Sequence, residues 1–256
     1  MPFYQFEPAR GPVIFETLKL RNIFLAWLLF PFVSILFAFF LSFTIHSGDV
    51  VGYYWVCRNV QLPSISRVLN FPLERILWNL LSLASLPLHF FVIIRQYSLT
   101  LSTQKWHQLL RVCLVLSAIA QSIFLTMLAT VGERESGVAH VAFFCGFAAS
   151  TLINYTVFNI LMRVVNGGKE DPKYSTRRMV LLLFLMSIIP VITFTFIAHN
   201  SYCIPGAYEL FAIFEYITCI LICCYQFSNF YLFSSPKFAQ NIAVCYRYGV
   251  LERIRI

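Results

Sequence analysis

The sequence predicts an all-α polytopic membrane protein, a bundle of six transmembrane helices with both termini on the cytoplasmic side. Three observations lead there. Only 12% of the residues are charged and 59% are hydrophobic, including 27 Phe, whereas about one quarter of an average soluble domain is charged. Six apolar runs are each long enough to cross a hydrocarbon core about 30 Å thick, which takes roughly 20 residues at 1.5 Å apiece. Lys and Arg are also strongly sided between the segments that connect these runs.

The runs extend over about Ile23–Ile45, Leu77–Ile94, Val112–Val131, Val138–Leu161, Met179–Ala198 and Ala207–Phe233. No connecting segment is long enough for a separate soluble domain, so residues 1–256 read as one integral membrane domain, with a cytoplasmic tail over 234–256. The first run is longer than the apolar part of a secretory signal and no small-residue cleavage site follows it, so it is expected to be retained as a helix. Pro31, Pro87 and Pro190 each remove a backbone donor inside a run and are expected to kink it. Asn154-Tyr155-Thr156 is a nominal glycosylation sequon but lies mid-helix, out of reach.

Basic residues stay cytoplasmic. With the N-terminus on that side, 15 of the 19 Lys and Arg fall there, among them Arg10, Lys19, Arg95, Lys169, Arg178 and Lys237. Arg58, Arg67, Arg75 and Arg134 fall on the other. This asymmetry accounts for the net charge of +8 through the anionic cytoplasmic leaflet, without nucleic acid. The segments 52–75, 132–137 and 199–206 are then lumenal or external. Segment 52–75 is long enough for a short folded lid, and Tyr53, Tyr54 and Trp55 suit the headgroup level. The loop 166–178 reads as a solvated turn. The basic tail reads as a surface-lying or unstructured segment.

Five cysteines lie within or at the ends of apolar runs and Cys245 lies in the tail, which leaves Cys57 and Cys203 in lumenal loops. In an oxidising lumen this placement predicts a Cys57–Cys203 disulfide; two unpaired thiols are the alternative.

Ionisable groups within a span are costly and point to function. His46, His140, His199 and Glu209 all fall at the lumenal ends of runs, and Gln121 and Glu215 lie somewhat deeper. Glu215 is about 12 Å from that face at 1.5 Å per residue. Glu209 and Glu215 are about 120° apart around their helix, so they cannot both face one small site. Glu215 is the preferred candidate, as base or orienter with His199 beside a lipid ester or hydroxyl; a neutral acid bonded to a tyrosine is the structural alternative. No glycine-rich phosphate loop, HExxH, GxSxG, CxxC or HxxxxD box occurs, and neither a metal nor a cofactor is expected.

The stretch HNSYCIPGAYELFAIFEY, His199 to Tyr216, and the upstream CRNVQLPSIS, Cys57 to Ser66, resemble the post-GPI-attachment-to-proteins factor 2 family. The order of spans agrees with that family from roughly residue 12 to residue 235. Matched positions include Pro63, Ser64, Ser66, Asn200, Tyr202 and Tyr216 besides the two cysteines, His199 and Glu215. Where some members carry an acidic residue on the third helix, this chain has Gln121. The resemblance implies a Golgi or endoplasmic reticulum membrane protein acting in GPI-anchor lipid remodelling, at the reacylation of lyso-GPI with a saturated chain. Its expected partners are GPI-anchored proteins, the lyso-GPI lipid, membrane lipids and an acyl donor or acyltransferase. Glu215 and His199 are the catalytic candidates, and His46, Gln121, His140, Glu209, Asn200 and Tyr202 are candidates to line a lumenal pocket. The competing reading is a non-enzymatic receptor or subunit that handles GPI-anchored proteins for sorting and transport. A small-solute transporter is disfavoured, because no inverted repeat is present and the polar groups sit on one side.

Overall fold

The computed structural model describes residues 13–165, 170–234, 241–247 and 250–255. Arg10, Lys169 and Lys237, counted above on the basic side, lie outside these residues, as does part of the 234–256 tail. Strand β1 (Val13–Lys19) leads into helix α1 (Leu20–Ile45), which is followed by a short helix α2 (Ser47–Val50), a hairpin of β2 (Tyr53–Trp55) and β3 (Arg58–Val60), and a short helix α3 (Ile65–Val68). Five long helices follow: α4 (Pro72–Leu99), α5 (Lys105–Thr130), α6 (Gly137–Val165), α7 (Pro172–Tyr202) and α8 (Ala207–Ser228). The last is extended by α9 (Phe230–Ser234), and β4 (Asn241–Arg247) and β5 (Val250–Arg255) close the chain. Six of these elements, with α8 and α9 forming one span, are long and apolar enough to cross a membrane.

Several helices outrun their apolar stretches because polar termini extend them. Pro72 occupies the first turn of α4, where its missing N–H costs nothing, and Glu74 follows in the same turn. Asp171 caps α7 by accepting a bond from Lys173 N at 2.9 Å. α7 ends where Cys203 takes a left-handed conformation, φ 53°. Segment 52–75 folds as the β2–β3 hairpin, α3 and the first turn of α4, so a small lid of defined elements is present there. Tyr54 is exposed as an interfacial residue would be, but Tyr53 is buried against Tyr208. At the opposite end, the tail backbone pairs with the entry to α1 in a sheet of order β1-β4-β5, a structure absent from the sequence reading. Alternation of β-branched and aromatic residues, as in Ile242, Val244 and Tyr246, favours such strands.

Packing runs mainly through the sequential pairs α1–α4, α5–α6 and α7–α8. Between α5 and α6 the Phe124 ring packs onto Gly146, where a Cβ would lie 2.6 Å from the ring. Asn154 joins the same pair, its side chain donating to Leu114 O at 3.0 Å and to Ser117 Oγ at 3.3 Å. Tyr155 on α6 stacks on Tyr225 on α8 at 3.8 Å and receives a bond from Gln226 at 2.8 Å. Near the chain termini, Phe24 stacks on Phe233 at 4.3 Å. Arg178 is wholly buried there, bonded to Asn159 at 3.0 Å and to Glu170 at 2.7 Å. The loop over 166–178 therefore does not behave throughout as a solvated turn: its Glu170 is drawn inward because a buried guanidinium demands a counter-charge.

The Gly146 approach has a measurable cost. Gly146→Leu is expected to lower thermal stability in detergent by an amount equivalent to roughly 1–3 kcal/mol through overpacking. Adding Phe124→Ala to that variant should recover part of the loss in the same melting experiment.

Candidate functional site

A cavity of about 200 Å³ lies among α1, α3, α4, α5, α6 and α8. Its walls are mostly hydrocarbon and aromatic: Trp27, Phe32 and Ile35 from α1, Trp78 from α4, Leu125 and Leu128 from α5, and Phe144 and Phe147 from α6. Pro31 also lines it, so the kink expected in α1 falls on the cavity wall. Polar side chains gather in two places. Deep in the bundle, His89 stacks on Trp27 at 4.8 Å and shares a 2.7 Å bond with Ser122; Gln121 and Gln226 line the same region.

At the hairpin end Ser66, His140 and Glu215 meet. His140, in the first turn of α6, directs Nδ1 to the carbonyl of Val131 at 2.8 Å and Nε2 to Ser66 Oγ at 3.0 Å. Glu215 on α8 accepts from Ile65 N at 2.7 Å and lies 3.4 Å from Ser66 Oγ. α3 is thus pinned to α8 by a carboxylate, and Tyr216, the next residue, donates to the carbonyl of Pro63. Behind this contact Ser64 accepts from Arg67 N at 3.1 Å and from the Tyr208 hydroxyl at 3.0 Å, which in turn bonds Tyr53 at 2.7 Å. Burial pushes the Tyr53 phenol up to about 12, so it stays a neutral donor.

Beside the cavity, Arg75 donates to Thr130 O at 2.6 Å and to Glu135 at 2.6 Å. That pairing, mainly the bond from Arg75, holds the Glu135 carboxyl below the usual carboxylate range. Gly132 leaves the room this arrangement needs, since a Cβ there would be 2.4 Å from Asn70 Oδ1. Asn70 donates to Glu133 at 3.4 Å. Burial raises Glu133 above the ordinary carboxylate value, against the opposing pull of Arg67 and the Asn70 bond.

Of the residues singled out in the sequence, Glu215, Gln121 and His140 line the cavity. The expected pairing of Glu215 with His199 is not formed. His199 is wholly buried, with Nε2 on the Trp55 carbonyl at 3.2 Å and its ring 5.2 Å from that of Tyr208; it sits on α7, which contributes no residue to the cavity. His46, Glu209, Asn200 and Tyr202 do not line the cavity either. His46 stacks on Phe71 at 4.7 Å and lies 3.9 Å from Glu74. Glu209 accepts from Gln61 N at 3.2 Å, Asn200 donates to its own helix at Phe196 O, and Tyr202 is 73% exposed. Cys57 and Cys203 form a disulfide with Cα atoms 5.6 Å apart, tying the hairpin to the end of α7. Glu74 escaped the sequence reading. It is wholly buried and accepts from Ser42 at 2.9 Å; Phe71-Pro72-Leu73-Glu74, proline then acid at a helix start, was the signal that would have placed it inside a helix.

Residues 20–235 match the Frag1/DRAM/Sfk1/Cwh43P N-terminal domain family. The chain belongs to this family. Every cavity-lining residue named above falls inside the Frag1/DRAM/Sfk1/Cwh43P match, as do both disulfide cysteines. Two similar proteins are each named "Post-GPI attachment to proteins factor 2". One, from Caenorhabditis briggsae, is 27% identical over 135 residues, 51% of this chain and 49% of that protein, so the match spans about half of that relative's length. The other, from Drosophila pseudoobscura pseudoobscura, is 25% identical over 229 residues, 85% of this chain and 82% of that protein. No solved structure matches the chain.

Two measurements follow from this geometry. On a gel, the oxidised chain should migrate differently from the reduced one, and Cys57→Ser or Cys203→Ser should each abolish the difference. Glu133 supplies a pH test. Because its folded pKa is raised, the protonated form contributes stability that is full below the ordinary value of 4.5 and is lost as pH rises through the folded value. Glu133→Gln should therefore raise the melting temperature at neutral pH and lose that advantage towards pH 4.5.

Proposed function

We propose that this protein remodels the lipid of GPI-anchored proteins, acting in the reacylation of lyso-GPI with a saturated chain in the Golgi or endoplasmic reticulum membrane. The observation that carries the proposal is the cavity: its walls are mostly hydrocarbon, and Ser66, His140 and Glu215 meet at its hairpin end. From Glu215 to Gln226 is eleven positions of α8, about 16 Å at 1.5 Å per residue, a length suited to much of a lipid acyl chain. The names of the two relatives support GPI-anchored proteins as partners. The distribution of Lys and Arg supports an orientation with the hairpin end in the lumen, on the leaflet that holds GPI anchors.

Acyl transfer to a hydroxyl requires that the hydroxyl lose a proton and that the ester carbonyl be held beside it. His140 Nε2 has the position of the proton acceptor. Glu215 is a positioning residue, because its carboxylate fixes the backbone of Ile65, the neighbour of Ser66. His199 acts at one remove, holding α7 to the hairpin through Trp55.

The test is acyl transfer by the purified protein in liposomes containing a lyso-GPI lipid and an acyl-labelled phospholipid. Transfer is expected, and Glu215→Gln should lower its rate by roughly 10²-fold through misplaced groups while the disulfide and the melting curve persist. No transfer by disulfide-bonded protein, together with co-purification of GPI-anchored proteins, would replace this reading with that of a non-enzymatic receptor.

A further inference from the structure

Hydroxyls in the long helices mostly donate to carbonyls of their own helix. Ser34 bonds Pro31 O, Ser85 bonds Ser82 O, Ser117 bonds Leu114 O and Thr126 bonds Ser122 O, the usual way of satisfying a hydroxyl in an apolar medium. Ser66 is arranged differently: its Oγ is 3.0 Å from a histidine nitrogen and 3.4 Å from a carboxylate, on the wall of the cavity. The histidine's tautomer follows from its other bond. A carbonyl can only accept, so Nδ1 of His140 carries the hydrogen given to Val131 O at 2.8 Å, and Nε2 presents a lone pair that takes the one Ser66 hydrogen at 3.0 Å in place of the Glu215 oxygen at 3.4 Å. Val131 lies at the C-terminal end of α5, where the helix dipole favours the positive charge His140 acquires on taking a proton. A nucleophile, a base and a group orienting the base are thereby in place.

We infer that Ser66 is an acyl-accepting nucleophile with His140 as its base, so that the chain delivered to a lyso-lipid hydroxyl passes through an ester on Ser66. This rests on the acyl-transfer reading above and adds a covalent step to it. In the first half-reaction His140 Nε2 takes the Ser66 proton and Oγ bonds to the carbonyl carbon of a glycerolipid acyl ester. The donor's C–O bond then breaks and its alkoxide leaves with the proton from Nε2. In the second half the acceptor hydroxyl gives its proton to Nε2 and attacks the Ser66 ester. The Oγ–C bond breaks, and Ser66 recovers the proton. The sum is a transesterification, with no oxidant or reductant. The apolar cavity holds the acyl chain during the exchange of headgroups, as a two-step transfer requires.

The full-length protein in liposomes is treated with an alkyl fluorophosphonate, which reports an activated serine without any GPI lipid, and separately with acyl-labelled phospholipid. Mass spectrometry is expected to find both adducts on Ser66. Ser66→Ala should remove them, and His140→Gln should slow fluorophosphonate labelling by about 10²- to 10⁴-fold, the usual contribution of a general base. Ser66→Cys should take up the acyl label as a thioester that neutral hydroxylamine releases. The disulfide gel shift checks that each variant folds. Full lyso-GPI acylation by folded Ser66→Ala, or no adduct on folded wild type, would overturn the inference and leave the proposed function standing. Acyl-Ser66 formed in a protein that never acylates lyso-GPI would do the reverse.

Discussion

Hydrocarbon offers no hydrogen bonds, and that constraint arranges this chain from the backbone outward. It permits only helices where the chain crosses the membrane, and it inverts the sorting familiar from water-soluble folds. Phe40 and Phe194 are outward-facing, whereas Ser42, Asn154 and Gln226 are buried. Each inward polar group must then find a partner within the protein. Asn154 does so across α5 and α6, Gln226 reaches Tyr155, and Ser42 reaches Glu74. Helix association is driven by such bonds and by close packing at small residues, because lipid chains are as apolar as leucine.

The same constraint gives the cavity its chemical contrast. Its walls are mostly hydrocarbon, interrupted by the deep group of His89, Gln121, Ser122 and Gln226, so an entering acyl chain meets mainly apolar side chains. At the hairpin end, α3 brings backbone and side-chain polar groups close to the membrane core, and they are tolerated there because α6 and α8 supply acceptors. Glu215 completes the arrangement from α8, and His140 completes it from α6. The hairpin's own attachments, Trp55 to His199 and Cys57 to Cys203 on the α7 side and Tyr53 to Tyr208 on α8, stand outside the cavity. One set of residues forms the site and another holds the lid that carries Ser66.

Much of the architecture was legible in the sequence because transmembrane helices announce themselves by length and hydropathy. The legible part ended where helices became polar: Pro72, Glu74 and Asp171 belong to helix termini that an apolar window does not cover. Within the site, the sequence gives how deep a residue lies along a helix but not which way it faces. His140 and His199 both stand at the hairpin end, and only the rotation of α6 and α7 in the bundle decides that the first meets Ser66 and the second meets Trp55. Ser66 was visible only as one matched position in the CRNVQLPSIS stretch, with nothing in the sequence to set it apart from Ser64 as the residue that meets His140. Glu215 was recognisable because an acid eight residues inside an apolar run is costly enough to stand out. The disulfide was recognisable because elimination left two cysteines in loops that the distribution of Lys and Arg put on one side of the membrane.

The tie between Cys57 and Cys203 also constrains when the protein matures. Its partners are 146 residues apart, and ribosomes add about 5–20 residues per second, so the first cysteine waits roughly 7–30 s for the second to emerge. During that interval the lid lacks its covalent anchor, and α8, which supplies Glu215, has yet to be made. The site therefore cannot assemble on a partly synthesised chain. A chain halted before Cys203 leaves Cys57 without the partner that would fasten the hairpin to α7.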